Sequence, residues 1–241
     1  MPLPTPPRTL LQDAALFLDF DGTLVPIADR PDAIRVEPEL LPLLEQLQYK
    51  LNGRLTLISG RASADVRHWL NPLRVPVVGS HGLERDGVPV RRPAAFEQGL
   101  RHLHEVKARH PGVLVEEKPL GAAIHFREAP AAEEPCRAAA THVATSTGMQ
   151  VQPGKMVFEI KPPGGDKGTA IEALMAEVQN AGRRPVFVGD DLTDENGFAV
   201  VRDLDGAGIL VGDERDTAAT HRLKDVADVH RWLKEACEVL S

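Results

Sequence analysis

The sequence predicts an α/β protein in two parts. One is a doubly wound, mainly parallel sheet built from residues 1–82 and 164–241, and the other is an α+β domain inserted at 83–163. Three observations carry this reading. Short apolar runs alternate with helix-spaced leucines at the start of the chain, as in a parallel sheet with helices on its faces. From about Leu83 to Pro162 that alternation gives way to hairpins with helices to one side, the mark of a separate α+β layer. Beyond Pro162-Pro163-Gly164-Gly165, a hinge-like stretch, strand and helix alternate again.

Taken in order, residues 1–9 carry four prolines and no apolar stretch, so a loose tail is expected there and not a signal peptide. Leu16-Phe17-Leu18 reads as a buried strand that stops at Asp19-Phe20-Asp21, with Gly22-Thr23 as a tight turn. Leu40, Leu43, Leu44 and Leu47 share one helix face; Pro38 suits its start, and Pro42 falls in the first turn or moves that start forward. Gly53 ends this helix, and 55–58 reads as a second strand running into Ser59-Gly60-Arg61. A short helix to Leu70 follows, then a strand near 75–78 closing at Gly79-Ser80-His81-Gly82. The inserted region reads as strand, helix (96–110), hairpin, helix (131–147) and hairpin, with Gly87, Gly112, Gly121, Gly148 and Gly154 at its turns. Ile171, Leu174, Met175 and Val178 mark a further helix, and Val186-Phe187-Val188 a buried strand ending at Gly189-Asp190-Asp191. A strand at 209–211 and a helix carrying Val229, Trp232, Leu233, Ala236 and Leu240 complete the sheet.

Composition narrows the function. The 241 residues can bury a full core, and 42% hydrophobic with 26% charged residues is ordinary for a soluble protein. A formal charge of −7, from 35 acidic and 28 basic residues, argues against nucleic acid as a partner. No apolar run approaches the length of a membrane span, so no membrane partner is expected. Cys136 and Cys237 are too few for a disulfide framework or a thiolate zinc site. A cytoplasmic, metal-assisted enzyme is compatible with all of this.

In open parallel sheets ligands bind outside the carboxyl ends of the strands, where Asp19 and Asp21 are expected. Two carboxylates so close repel unless a positive charge stands between them, and Mg²⁺ prefers oxygen ligands and needs only one or two carboxylates. Three more stretches fall at element ends: Ser59-Gly60-Arg61, Gly165-Asp166-Lys167-Gly168 and Gly189-Asp190-Asp191-Leu192-Thr193-Asp194-Glu195. Singly, each has an innocent reading: Ser59 as a helix N-cap, Lys167 as a surface lysine, 190–195 as a solvated acidic loop. Together, in this order, they do not read as accident.

The four stretches resemble, in order, the four motifs of the haloacid-dehalogenase superfamily of phosphotransferases. Within it the chain resembles the trehalose-6-phosphate phosphatases, on GDDLTDE, GSHGLE, the EEK and HFR segments and GKMVFEIKP. The likeness runs from about Ala14 over nearly the whole chain and includes the inserted domain, which resembles this subgroup's cap. It implies an aspartyl-phosphate route with Asp19 as nucleophile and Asp21 as the acid and then the base. It implies Mg²⁺ held by Asp19, Asp190 and the main-chain carbonyl of Asp21. Ser59, Lys167 and main-chain amides near Gly22 and Gly60 would bind the phosphoryl oxygens. Asp191, Asp194 and Glu195 are expected mainly behind the metal, orienting its waters or Lys167, with direct ligation left open.

In the inserted domain, period-2 alternation puts Met156, Phe158 and Ile160 on one face and Lys155, Val157 and Glu159 on the other. His125 and Arg127 likewise oppose Ile124 and Phe126, and Glu116 is expected to pair with Lys118. The bland alternative is a sheet with one solvated face. The resemblance implies instead that Glu116, Lys118, Arg127, Lys155 and Glu159 bind the sugar, joined by Arg61 and His81 from the core. The substrate implied is a sugar phosphate, trehalose 6-phosphate, and the reaction the last step of trehalose biosynthesis. A phosphatase for a sucrose phosphate or a mannosyl-phosphoglycerate, a sugar-phosphate mutase and a non-catalytic sensor remain alternatives. A monomer stays one option, and no synthase partner is legible.

Overall fold

The computed structural model describes residues 2–27, 33–85 and 92–240. The turn expected at Gly87 lies outside them. In chain order the elements are β1 (Ala14–Leu18), α1 (Leu40–Lys50), β2 (Leu55–Ile58), α2 (Ser63–Leu70), β3 (Val77–Gly79) and β4 (Glu84–Arg85). Then come α3 (Phe96–Arg109), β5 (Leu114–Glu117), β6 (Ala122–His125), α4 (Glu133–Thr147), β7 (Gln150–Gly154) and β8 (Val157–Lys161). The last are α5 (Lys167–Met175), β9 (Arg184–Gly189), α6 (Glu195–Asp203), β10 (Ala207–Val211), β11 (His221–Leu223) and α7 (Val226–Val239). The chain divides into two compact units, 1–86 with 165–241, and 87–164.

The first unit is a seven-stranded sheet ordered β11-β10-β9-β1-β2-β3-β4, parallel throughout except that β4 runs antiparallel to β3. Its strands alternate between two apolar layers. Leu16 and Leu18 of β1 pack with leucines of α1 and with Val229, Trp232 and Leu233 of α7. Ala15 and Phe17 point the other way, onto Ile171 of α5 and Phe198 and Val201 of α6. Both faces of β1 are therefore covered, which is why its run is apolar without alternation. Strand order reverses at β1, with β2 on one side and β9 on the other, and a crevice at the carboxyl ends is the usual ligand site of such a sheet.

Several elements differ from expectation. Residues 84–85 pair with β3 in register Val78 to Arg85, so the first unit runs on past Gly82. Helix α5 ends at Met175, and Val178 opens a separate 3₁₀ turn at 93% exposure. Helix α6 was not legible, because its acidic start reads as loop and Gly197 interrupts the short Phe198/Val201 pattern. Strand β11 has one buried residue, Leu223, and no apolar run to announce it. The proline-rich start is docked: the carbonyl of Pro4 accepts from Arg222 N at 3.0 Å, and that of Pro7 from Trp232 Nε1 at 3.3 Å.

The second unit is a four-stranded antiparallel sheet, β5-β6-β8-β7. One face carries Ile124, Phe158 and Ile160 against Phe96, Leu100 and Leu103 of α3 and Cys136, Ala140 and Val143 of α4. Glu116, Ala123, Glu159 and Gln152 stand opposite one another across all four strands on the other face. Among the described residues no helix is long and apolar enough to cross a membrane.

Candidate active site

Asp19 follows the last residue of β1 and is 4% exposed. Its Oδ1 lies 2.7 Å from Lys167 Nζ. Lys167 is the first residue of α5, held there by a capping box in which Asp166 accepts from Thr169 N at 2.8 Å and Thr169 Oγ1 accepts from Asp166 N at 3.1 Å. The same Nζ lies 2.5 Å from Asp194 Oδ1. Asp194 Oδ2 accepts the main-chain N–H groups of Asp190 at 2.8 Å and Asp191 at 3.0 Å. Both oxygens of Asp194 are thus engaged, one by the lysine and one by the loop after β9.

Oxygens of Asp19, Asp190 and Asp194 all come within 4.8 Å of one another. Burial pushes the Asp19 carboxyl well above the ordinary range; Lys167 opposes this and Asp194 adds to it. Burial, with Asp194 and Asp191 behind it, pushes Asp190 up to about 6. Asp194 is raised as well, by burial against the pull of Lys167. For Lys167 burial acts downward, yet Asp19 and Asp194 outweigh it and hold the ammonium above the ordinary lysine value. Three buried or half-buried carboxylates around one lysine leave surplus negative charge, and their donors are all oxygen. That set fits a small hard cation such as Mg²⁺.

Close packing explains the glycines. Gly22 has φ +76°, and a Cβ there would run into the carboxyl of Asp190. A Cβ on Gly189 would meet the side chain of Asp194.

Asp21 does not share the lysine. Arg61 grips it in a fork, Nε to Oδ2 at 2.6 Å and Nη2 to Oδ1 at 2.9 Å. Arg61 N donates to Ser59 Oγ at 3.1 Å, and Ser59 is fully buried. His81, at φ 56°, donates its N–H to the Ser59 carbonyl at 2.9 Å, and its ring faces the place a Cβ of Gly60 would take.

Two more of the expected residues have partners within and beside this loop. Asp191 Oδ1 caps the following 3₁₀ turn, accepting from Thr193 N at 2.7 Å and Thr193 Oγ1 at 2.6 Å. Glu195 accepts from Arg215, from Thr217 Oγ1 at 2.9 Å and from Ala218 N at 2.8 Å. Arg215 also donates to the carbonyls of Asp190 at 3.2 Å and Asp191 at 2.7 Å. Arg215 and Thr217 belong to no motif and Glu84, which closes the GSHGLE stretch, has no expected role; the fold gives all three their places.

In the second unit Glu116 pairs with His125, Oε2 to Nε2 at 3.0 Å, and Lys118 with Glu159 at 2.7 Å. The expected Glu116–Lys118 pair is thus replaced by two cross-strand pairs. The bond from His125 holds Glu116 below the ordinary carboxylate range, against burial and with help from Lys118. Lys155 is not on the strand. With Met156 it forms the turn between β7 and β8, where Gly154 and Val157 pair, while Met156 packs against the core cluster of Phe158 and Ile160 as the alternation implies. Arg127 is exposed beyond the end of β6.

Comparison with known proteins gives a consistent picture. A family model described as "Trehalose-phosphatase" matches residues 17–227. The chain is 41% identical over 227 residues to "Trehalose-6-phosphate phosphatase" of Escherichia coli K12, covering 91% of this chain and 85% of the relative. It is 37% identical over 211 residues to "Probable trehalose-phosphate phosphatase" of Sinorhizobium fredii, covering 85% and 80%. A crystal structure titled a trehalose-6-phosphate phosphatase related protein superposes with a TM-score of 0.74 at 27% identity, over 93% of this chain and 97% of its own.

Proposed function

The chain belongs to the trehalose-phosphatase family of phosphoric monoester hydrolases, and we propose that it hydrolyses trehalose 6-phosphate to trehalose and inorganic phosphate, with Mg²⁺ as cofactor. The observation that carries the mechanism is the cluster at the carboxyl end of β1. There Asp19 lies 2.7 Å from Lys167, with oxygens of Asp190 and Asp194 within 4.8 Å of its own.

In the first step a carboxylate oxygen of Asp19 attacks phosphorus in line. The bond from phosphorus to the sugar oxygen breaks, and Asp21 gives its proton to that oxygen, so trehalose leaves as the alcohol. In the second, water attacks the phosphorus and its proton passes to Asp21. The bond to Asp19 breaks, phosphate leaves, and both residues return to their starting state. Lys167, the Ser59 hydroxyl and amides near Gly60 and beside Gly22, whose own N–H is taken by the Val25 carbonyl at 2.7 Å, stabilise the equatorial oxygens as charge develops. The carboxylates of Asp19 and Asp190 and the carbonyl of Asp21 would hold Mg²⁺, which when bound neutralises the crowding of carboxylates and phosphate. Asp194 acts behind them by fixing Lys167 and the loop at Asp190.

We assign reading of the sugar to the polar face of the second unit, with Glu116, Lys118 and Glu159, and to Arg127 and Lys155 just beyond its strand ends. Its ion pairs both donate and accept, which suits a substrate rich in hydroxyls. A phosphate-release panel over purified sugar phosphates with Mg²⁺, without bisphosphate activator, tests the proposal. Trehalose 6-phosphate should give the highest kcat/KM. A higher value for sucrose phosphate or mannosyl-phosphoglycerate would move the substrate, and release that needs a bisphosphate would favour a mutase.

A further inference from the structure

Asp19 and Asp21 are two residues apart, yet each has its own cation: Lys167 at 2.7 Å from Asp19, and Arg61 on both oxygens of Asp21 at 2.6 and 2.9 Å. A two-point guanidinium fork fixes the plane of the carboxyl group as well as its place, which a lysine cannot do, and it leaves each oxygen a second lone pair for the proton that Asp21 carries as the acid. The fork is delivered from a braced loop. Arg61 N is tied to Ser59 Oγ at 3.1 Å, and Arg61 O accepts from Ser80 N at 2.7 Å. Behind this loop stands Glu84, 3% exposed, on a strand that the parallel-sheet pattern does not announce. Its Oε2 accepts from Ser63 N at 2.8 Å and Ser63 Oγ at 2.9 Å, and its Oε1 from Ser80 Oγ at 2.6 Å. One buried carboxylate therefore laces the loop after β2 to the loop after β3.

The geometry points to Arg61 as a positioning residue for proton transfer. It sets the orientation in which Asp21 meets the leaving oxygen, and it is neither a ligand of the transferring phosphoryl group nor a grip on the sugar. This rests on the reading of Asp21 as the acid. A free carboxyl on a turn samples several rotamers, and proton transfer needs one within hydrogen-bond reach of the leaving oxygen. The consequence depends on the leaving group. A basic alkoxide or phenoxide needs its proton at the moment the bond to phosphorus breaks, whereas a strongly acidic phenol leaves without one.

The test is kcat/KM, which reports the step up to loss of the leaving group, across aryl phosphates from dinitrophenyl to phenyl phosphate, with trehalose 6-phosphate alongside. Wild type, Arg61→Ala, Arg61→Lys, Asp21→Asn and the Asp21→Asn/Arg61→Ala double variant are compared. Wild type should show a shallow dependence on leaving-group basicity. Arg61→Ala should lose about 10²-fold or more on phenyl phosphate, within the range general acid catalysis supplies, and little on dinitrophenyl phosphate. Arg61→Lys, which keeps the charge but not the fork, should fall between. The double variant should be no slower than Asp21→Asn, since the two residues act as one unit.

An equal loss across the whole aryl series would overturn the proposal in favour of phosphoryl binding or a damaged fold. A flat aryl series with loss only on the sugar phosphate would overturn it in favour of sugar recognition. Failure of the parent reading looks different: Asp21→Asn would then show wild-type rates on phenyl phosphate, whatever Arg61 does.

Discussion

Asp194 holds Lys167 Nζ at 2.5 Å with one oxygen and the main-chain N–H of Asp190 at 2.8 Å with the other. One fully buried carboxylate thereby sets both the lysine that meets Asp19 and the loop that carries Asp190. Asp194→Asn must turn an amide NH₂ toward either the ammonium or the backbone amides. Turnover should fall about 10²- to 10³-fold, comparable to losing an oxyanion-stabilising donor. Urea unfolding should show about 1–3 kcal/mol of lost stability, the penalty of a buried group left badly paired. Unchanged kcat in Asp194→Asn would contradict the linkage.

The loop after β9 has a second brace. Arg215 donates to the carbonyls of Asp190 and Asp191 while paired with Glu195. Removing a group that orients a ligand commonly costs about 10- to 100-fold in metal affinity. Arg215→Ala should raise the Mg²⁺ concentration needed for half-maximal activity by that factor, with a smaller change in kcat at saturating metal. A Mg²⁺ titration that superposes on wild type would remove Arg215 from the account.

On the proposed reading, in which Asp190 holds Mg²⁺, protonation and metal compete at its carboxylate. In the metal-free protein burial and the neighbouring Asp194 and Asp191 push its carboxyl up to about 6. A carboxyl raised by folding stabilises the fold fully below its unfolded value and loses that contribution as pH rises through about 6. A cation binds the ionised form and offsets the loss. Mg²⁺ should therefore raise Tm well above pH 6 and much less below it. Thermal melts with Mg²⁺ and with chelator, taken on both sides of that pH, provide the check. A Mg²⁺-induced shift of the same size on both sides would contradict it.

On the second unit, Lys118→Ala and Glu159→Ala each break one 2.7 Å ion pair on the polar face. If that face reads the sugar, kcat/KM for trehalose 6-phosphate should drop about 10- to 150-fold, the value of a hydrogen bond to a charged group. A small aryl phosphate, with no sugar to hold, should lose far less. Equal losses on both substrates would mean that the pair supports the fold alone.

What the sequence revealed follows from what is local. Asp19, Ser59 and Asp190 were legible because each ends an apolar run, and Lys167 because it opens a helix behind an Asp-x-x-Thr cap. The doubly wound sheet was legible from the same runs. Arg61 stands in the Ser59-Gly60-Arg61 stretch, but its fork on Asp21 joins loops 40 residues apart and no pattern encodes it. Glu84, Arg215 and Thr217 owe their places to strand order alone. Lys155 was misassigned because period-2 alternation runs on paper straight through a two-residue turn. Met156 takes a left-handed φ of 63° there without the Gly or Asn that usually announces one.

The central claim is that Asp19 is the phosphoryl acceptor from trehalose 6-phosphate. Asn is nearly isosteric, and Lys167 keeps Asp194 as a partner, so Asp19→Asn should fold. The direct measurement is phosphate release from trehalose 6-phosphate by wild type and Asp19→Asn, with acid-quenched turnovers analysed by mass spectrometry. Wild type should carry one phosphoryl group on the peptide containing Asp19, and the variant none, with a rate at least about 10⁴-fold lower. Phosphate release by Asp19→Asn at the wild-type rate, with no adduct at Asp19 in either protein, would contradict the account.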